Sequence, residues 1–156
     1  MKKATLLFLS HLLFALGGFA LGIYALPILT APAGPSATAV ADVMQSARFT
    51  GTFRRDLEGS DFLHWGDGTL SISETSIALE GSVSPGPDYK LYLSPAFVET
   101  EAAFEALKPE MVQVADIKTF DNFLVGVPEG IDPAAYNTVV VWCESFGEFI
   151  SAAQYQ

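Results

Sequence analysis

Two residues combine a reactive side chain with a suggestive setting. Cys143 stands in Thr138-Val139-Val140-Val141-Trp142-Cys143-Glu144-Ser145-Phe146 and is the single cysteine among 156 residues. It can therefore take part in neither an intramolecular disulfide nor a multi-cysteine zinc or iron–sulfur site. One reading makes it a small buried hydrophobe near the end of a core strand, because free cysteines are among the most buried residues. The other makes it a redox thiol, catalytic in that sense, with Trp142 as a shield or aromatic neighbour. Glu144, if close, would raise its pKa and oppose a nucleophilic thiolate.

His64, in Phe62-Leu63-His64-Trp65-Gly66-Asp67-Gly68, is the second candidate. The only other histidine is His11 in the N-terminal apolar stretch, so a histidine-only metal site is ruled out. A mixed site of His64 and Cys143 would suit copper or haem iron, although no CxxCH haem-attachment motif is present. The competing reading is a structural histidine bonded to a loop carbonyl. Nothing in the sequence requires a cofactor. Asp56, Glu58, Asp61 and Asp67 cluster without the EF-hand spacing and read as a solvated acidic face. No nucleophile elbow, P-loop or Rossmann fingerprint occurs, so no catalytic constellation is complete and a stand-alone enzyme is disfavoured.

Charge excludes one partner class. Eight basic against 18 acidic residues give a net charge of −10, which argues against binding a phosphate backbone, so no nucleic acid is expected. The charge is also segregated. Lys2 and Lys3 open the chain, the next basic residue is Arg48, and every acidic residue lies at Asp42 or later.

Residues 4–29 carry no charge and exceed the roughly 20 residues needed to cross a bilayer as a helix. The spacing predicts a transmembrane anchor over residues 1–30, ended by Pro27 and Pro32. A cleaved signal segment is the alternative, but its apolar core normally runs to about 15 residues at most. Lysines on the short side place the N-terminus in the cytoplasm and the rest outside, in the periplasm or extracellular space. In that usually oxidising compartment an unpaired thiol stands out. Residues 31–47, rich in small residues and proline, read as a linker that turns helical after Ser36.

Residues 48–156 form the folded domain, and their dominant period is two. Strands are expected at 48–54, 69–73, 76–81, 89–93, 112–117, 123–127, 139–142 and 147–153. Asp67-Gly68 has the chemistry of a tight reversal, and Pro85-Gly86-Pro87-Asp88 is dense in turn formers. The apolar run at 139–142 implies a strand covered on both faces. Residues 100–108 fit one short helix, and Asp132-Pro133-Ala134-Ala135 a capped helical turn. The fold class is therefore all-β: an antiparallel sandwich or barrel-like domain of about eight strands with one short helix. Half of the residues are hydrophobic and only 17% are charged, enough for a real core.

The segment Gly86-Pro87-Asp88-Tyr89-Lys90-Leu91-Tyr92-Leu93-Ser94 resembles the signature of the electron-transfer DM-thirteen domain family. The run from Tyr136 to Gly147 agrees, with its Val-rich strand, Trp142-Cys143 and a following Phe146. Gly51-Thr52-Phe53 and the His-x-x-x-Gly of His64 to Gly68 match the family's opening, so the resemblance spans about residues 48–153. It implies an all-β extracytoplasmic domain and a redox role for the hallmark cysteine, here Cys143. Family members are often fused to DOMON and cytochrome-type modules, and none is recognisable in this sequence. The helix at 100–108 departs from the family's usual loop. Two functions follow as expectations. One is a membrane-anchored redox module centred on Cys143, with His64 as ligand or hydrogen-bond partner and Asp88 fixing the turn. Such a cycle needs an external redox partner, since a lone cysteine cannot resolve its own oxidation. The other is a non-catalytic binding or structural module of the envelope, with Cys143 in its core.

Overall fold

Successive strand residues point to opposite faces, so alternating apolar and polar side chains build a sheet with one buried side. The computed structural model describes residues 2–156. Its strands are β1 (Phe49–Phe53), β2 (Gly66–Ile72), β3 (Ser76–Val83), β4 (Tyr89–Ser94), β5 (Val112–Ile117), β6 (Asp121–Gly126), β7 (Thr138–Cys143) and β8 (Glu148–Gln154). Every segment expected to be a strand is one, with its ends moved by a few residues. They form two four-stranded antiparallel sheets, in the orders β1-β2-β3-β6 and β5-β4-β7-β8.

The sheets share one core, a sandwich. Phe53, Leu70, Ile77 and Leu79 come from the first sheet, and Leu91, Val139, Val141 and Cys143 from the second. The margins also meet, because β1 lies beside β8 and β5 beside β6. A Cβ added at Gly51 would stand 3.1 Å from the Gln154 carbonyl oxygen, so glycine permits this approach.

Each outer face has a helical cover. Helix α1 (Lys2–Thr30) is followed by α2 (Ala37–Ser46), whose first turn is capped by the Ser36 hydroxyl accepting from the Ala39 N–H at 3.1 Å. Val40 and Val43, three apart on one face of α2, pack on Ala78 of β3 and Leu124 of β6. The stretch 31–47 is irregular over 31–36 and, as expected, turns helical after Ser36, with α2 docked on the first sheet. Helix α3 (Glu101–Leu107), capped by Thr100, lays Phe104 against the outer face of the second sheet, where Tyr92, Val140, Trp142 and Phe149 complete a second apolar cluster. Both faces of β7 are consequently buried along its whole length, as its unbroken apolar run requires.

Two local expectations fail. Asp67-Gly68 is not a reversal but lies inside β2, with Gly68 opposite Gly81 of β3. Their φ angles are +129° and +153°, and a Cβ on Gly68 would lie 2.6 Å from the Gly81 Cα. The glycine is there because two backbones nearly touch, a need that shares its residue signature with a turn. Pro27 does not end α1, which continues to Thr30. A proline inside a helix removes the bond to the residue four before it, and it can kink a helix without ending it. Helix α1 is long and apolar enough to cross a membrane, with mean hydropathy 2.1 in its best window and none of that window buried.

Candidate functional site

The site gathers at the end of the sandwich where β7 stops and β4 begins. In register, Cys143 faces Tyr89 of β4 and Glu148 of β8. Three loops close over this end: 54–65 carrying His64, 84–88 carrying the Gly-Pro-Asp sequence, and the β7–β8 turn. The first two are tied together, as Ser84 N–H donates to the Trp65 carbonyl at 2.9 Å and Trp65 N–H to the Ser84 hydroxyl at 3.2 Å.

The Gly-Pro-Asp loop is shaped by two backbone constraints. A Cβ at Gly86 would lie 2.6 Å from Cζ of Tyr89, so the Tyr89 ring packs directly on the glycine. Asp88 has φ +55°, a left-handed conformation that Asp tolerates better than most residues. Its carboxylate accepts from the Ser145 hydroxyl at 2.8 Å and pairs with the Lys90 ammonium at 2.9 Å. Those partners, Lys90 first, hold the Asp88 carboxyl below its usual pKa. Lys90, also 2.8 Å from Asp116, is pushed up to about 12 by Asp116 and Asp88. Asp88 thereby locks the Gly-Pro-Asp loop to the β7–β8 turn.

The Cys143 thiol is buried, 3% exposed, and donates to the Pro87 carbonyl at 3.1 Å. Burial is the main cause that lifts its pKa, with smaller contributions from the Asp88 and Glu148 charges. The backbone N–H groups of Phe146 and Ser145, in the turn that follows β7, pull the other way. Burial wins, and the resting group is the thiol. Glu144, the sequence neighbour expected to act on the sulfur, is engaged elsewhere. Trp142 likewise points to the opposite face of the sheet, under α3, and does not shield the thiol from within the core.

His64 and Cys143 line the same cavity, of about 270 Å³, together with Pro85, Gly86, Pro87, Tyr89, Phe146 and Glu148. Asp61 holds the histidine: its carboxylate lies 3.1 Å from Nδ1 and accepts from the Leu63 and His64 N–H groups at 2.7 Å. Partial burial would raise the Asp61 pKa, but these hydrogen bonds outweigh it and the net shift is downward. The bond expected to a loop carbonyl is therefore made to a side-chain carboxylate, leaving Nε2 as the ring's remaining polar atom.

The donor set does not suit a resident metal centre. A copper site of the electron-transfer kind takes two histidines and a cysteine, and this cavity offers one of each. Among the described residues no three His, Cys, Asp or Glu side chains converge. At about 270 Å³ the cavity is also at the small end for ligand sites, which leaves haem little room. The clustered acids are dispersed as well: Asp56 pairs with Arg54, Asp67 with Arg55, and Asp61 with His64.

A second polar cluster was not read from the sequence. Under α3 the Glu144 carboxylate accepts from the Tyr92 hydroxyl and from the Lys108 ammonium, at 2.8 Å to both oxygens. Burial opposes ionisation of Glu144, but Lys108 and Tyr92 hold its pKa below the usual value. The Phe104 and Trp142 rings stack at 4.0 Å beside it, with the Lys108 ammonium 5.6 to 5.8 Å from three ring centroids. Its members are 36 and 52 residues apart, and no local spacing announces them.

A two-sheet domain with one thiol behind a Gly-Pro-Asp loop is the class that the geometry defines. The family profile described as Electron transfer DM13 matches residues 52–155, and the chain belongs to that family. No curated protein and no solved structure matches the chain.

Proposed function

We propose that this chain is a membrane-anchored, extracytoplasmic electron-transfer module whose redox group is Cys143. The organisation we assign is an anchor over 1–30, a connector over 31–47 and the DM13 domain over 48–156, with the N-terminus in the cytoplasm. Lys2 and Lys3, at the head of an apolar helix, support that orientation. One observation carries the functional reading: the only thiol lines a cavity at the end of the sandwich, and His64 lines the same cavity. The backbone N–H groups of Ser145 and Phe146 favour a thiolate once one forms. His64, whose Nε2 is the ring nitrogen not engaged by Asp61, is a candidate within the same cavity to accept the proton.

The chemistry available to such a thiol is exchange with an envelope partner carrying a disulfide. Cys143 loses its proton, and its sulfur bonds to one partner sulfur as the partner disulfide breaks. The released partner thiolate takes up a proton. A thiol of a separate dithiol donor then attacks the Cys143 sulfur and releases the first partner as a dithiol. The donor's second thiol displaces Cys143 as the donor closes its own disulfide, so two electrons pass from donor to acceptor. Gly86, Pro87 and Asp88 would hold the mouth in shape, and Trp142 would anchor β7 from its other face.

A second reading has its own support. Burial of the sulfur in the shared core and its raised pKa also suit a non-catalytic binding or structural module of the envelope. Thiol labelling of the folded protein separates the two. The redox reading expects labelling by a small reagent without denaturant, and its loss in Cys143→Ser. Labelling only after unfolding would make Cys143 a core residue and leave the binding module.

A further inference from the structure

Exposed apolar residues of the domain are few, and they are not scattered. Outside α1, the large exposed ones among the described residues are Met44, Phe62, Leu63, Phe97 and Phe146. Leu63 and Phe146 line the Cys143 cavity, and Phe62, 85% exposed, adjoins Leu63 in the same loop. Phe146 is 55% exposed at the tip of the β7–β8 turn. Two of the five thus line one cavity mouth, and a third, Phe62, neighbours Leu63 in the chain.

The far wall of that cavity is α1, contributing Ala20, Ile23 and Tyr24. Farther along, Leu26, Pro27 and Thr30 share a second cavity with Gly86, Pro87 and Asp88. The depth of these contacts follows from length. Helix α1 has 29 residues, about 43 Å at ~1.5 Å per residue. The hydrocarbon layer is about 30 Å thick and is crossed by roughly 20 residues. With Lys2 and Lys3 among the headgroups on one side, the helix leaves the hydrocarbon near Tyr24, an aromatic of the kind enriched at that boundary. The surplus turns lie at headgroup level, beside the Gly86–Asp88 loop.

From this geometry we infer that the Cys143 end of the domain rests on the outer lipid surface, with Phe62, Leu63 and Phe146 inserted among the headgroups. The inference depends on α1 being a span, and it specifies the surroundings of the same site. The cavity mouth then opens onto the interface, so a partner must reach the thiol along the membrane surface. The occupant is a zwitterionic lipid surface, because a chain with net charge −10 gains nothing from anionic headgroups.

The test uses the full chain in phosphatidylcholine vesicles whose acyl chains carry bromine, a contact quencher of tryptophan. Emission added by Phe62→Trp, Phe146→Trp, Phe97→Trp and Phe14→Trp is taken as the difference from the unsubstituted chain. Phe97 is the far-end control, since β4 runs away from Cys143 for about 20 Å before reaching it. We expect Phe62→Trp and Phe146→Trp to be quenched to within a factor of about two of Phe14→Trp, as insertion by ~5–10 Å requires. Phe97→Trp should remain bright. Quenching of Phe14→Trp without Phe62→Trp or Phe146→Trp overturns the docking and leaves the span intact. Unquenched Phe14→Trp overturns the span and the docking together. Quenching of Phe97→Trp overturns the proposed orientation.

Discussion

At the scale of single residues, the balance of forces on Cys143 makes a prediction with a definite sign. An unfolded cysteine ionises near pH 8.5, while burial raises the native value. Between those two values the native state holds the proton more tightly than the unfolded chain does. The stability so contributed is complete below about pH 8.5 and drains away as pH rises through the native pKa. The denaturation midpoint of the wild type should therefore fall more between about pH 8 and pH 9.5 than that of Cys143→Ala, a window chosen below tyrosine ionisation. Parallel curves for the two proteins would mean that burial of the thiol does not hold its proton. That Cys143 would be buried was legible from its apolar strand. What surrounds it was not, because neighbours in sequence are not neighbours in a sheet. Glu144 and Trp142 were weighed as its companions, yet the sulfur meets the Pro87 carbonyl, a contact 56 residues away. The two-residue period, applied to Trp142-Cys143, does place them on opposite faces, and that signal was available.

At the scale of elements, the pairing of β2 with β3 depends on two facing glycines. Alanine at Gly68 would need positive φ and would bring its Cβ within 2.6 Å of the Gly81 Cα, so both strain and overlap oppose it. Gly68→Ala should cost about 2 kcal/mol or more, read as a lower midpoint in urea unfolding. A midpoint unchanged from wild type would show that the strands separate there without penalty. The strands themselves were legible because all are short and bounded by turn residues and most alternate, β7 standing out instead as an unbroken apolar run. Helix α3 was legible because its cap and its charged first turn are local. Partnership was not legible: β6 lies beside β3, and β4 sits between β5 and β7, arrangements settled by burial rather than by any turn. Asp67-Gly68 misled for a physical reason. A glycine at positive φ answers a tight turn and a backbone crossing equally well.

At the scale of the whole molecule, the open alternative is between a retained helix and a removed one. A retained α1 should keep the chain in the membrane pellet through an alkaline carbonate wash, with the mass of the full sequence. A soluble product beginning at Gly34 would instead identify α1 as a cleaved signal, with cleavage after Ala31-Pro32-Ala33. The meeting of the two sheets along both margins bears on life at a surface. Under the proposed anchoring, tethering would confine copies to two dimensions, where they collide often and where an exposed strand edge would recruit its neighbour into a growing ribbon. Here β1 lies beside β8 and β5 beside β6, so the edge strands of each sheet are flanked by those of the other. If α1 is retained in the membrane as proposed, crowding on the lipid plane would concentrate the domains with less risk of edge-to-edge pairing.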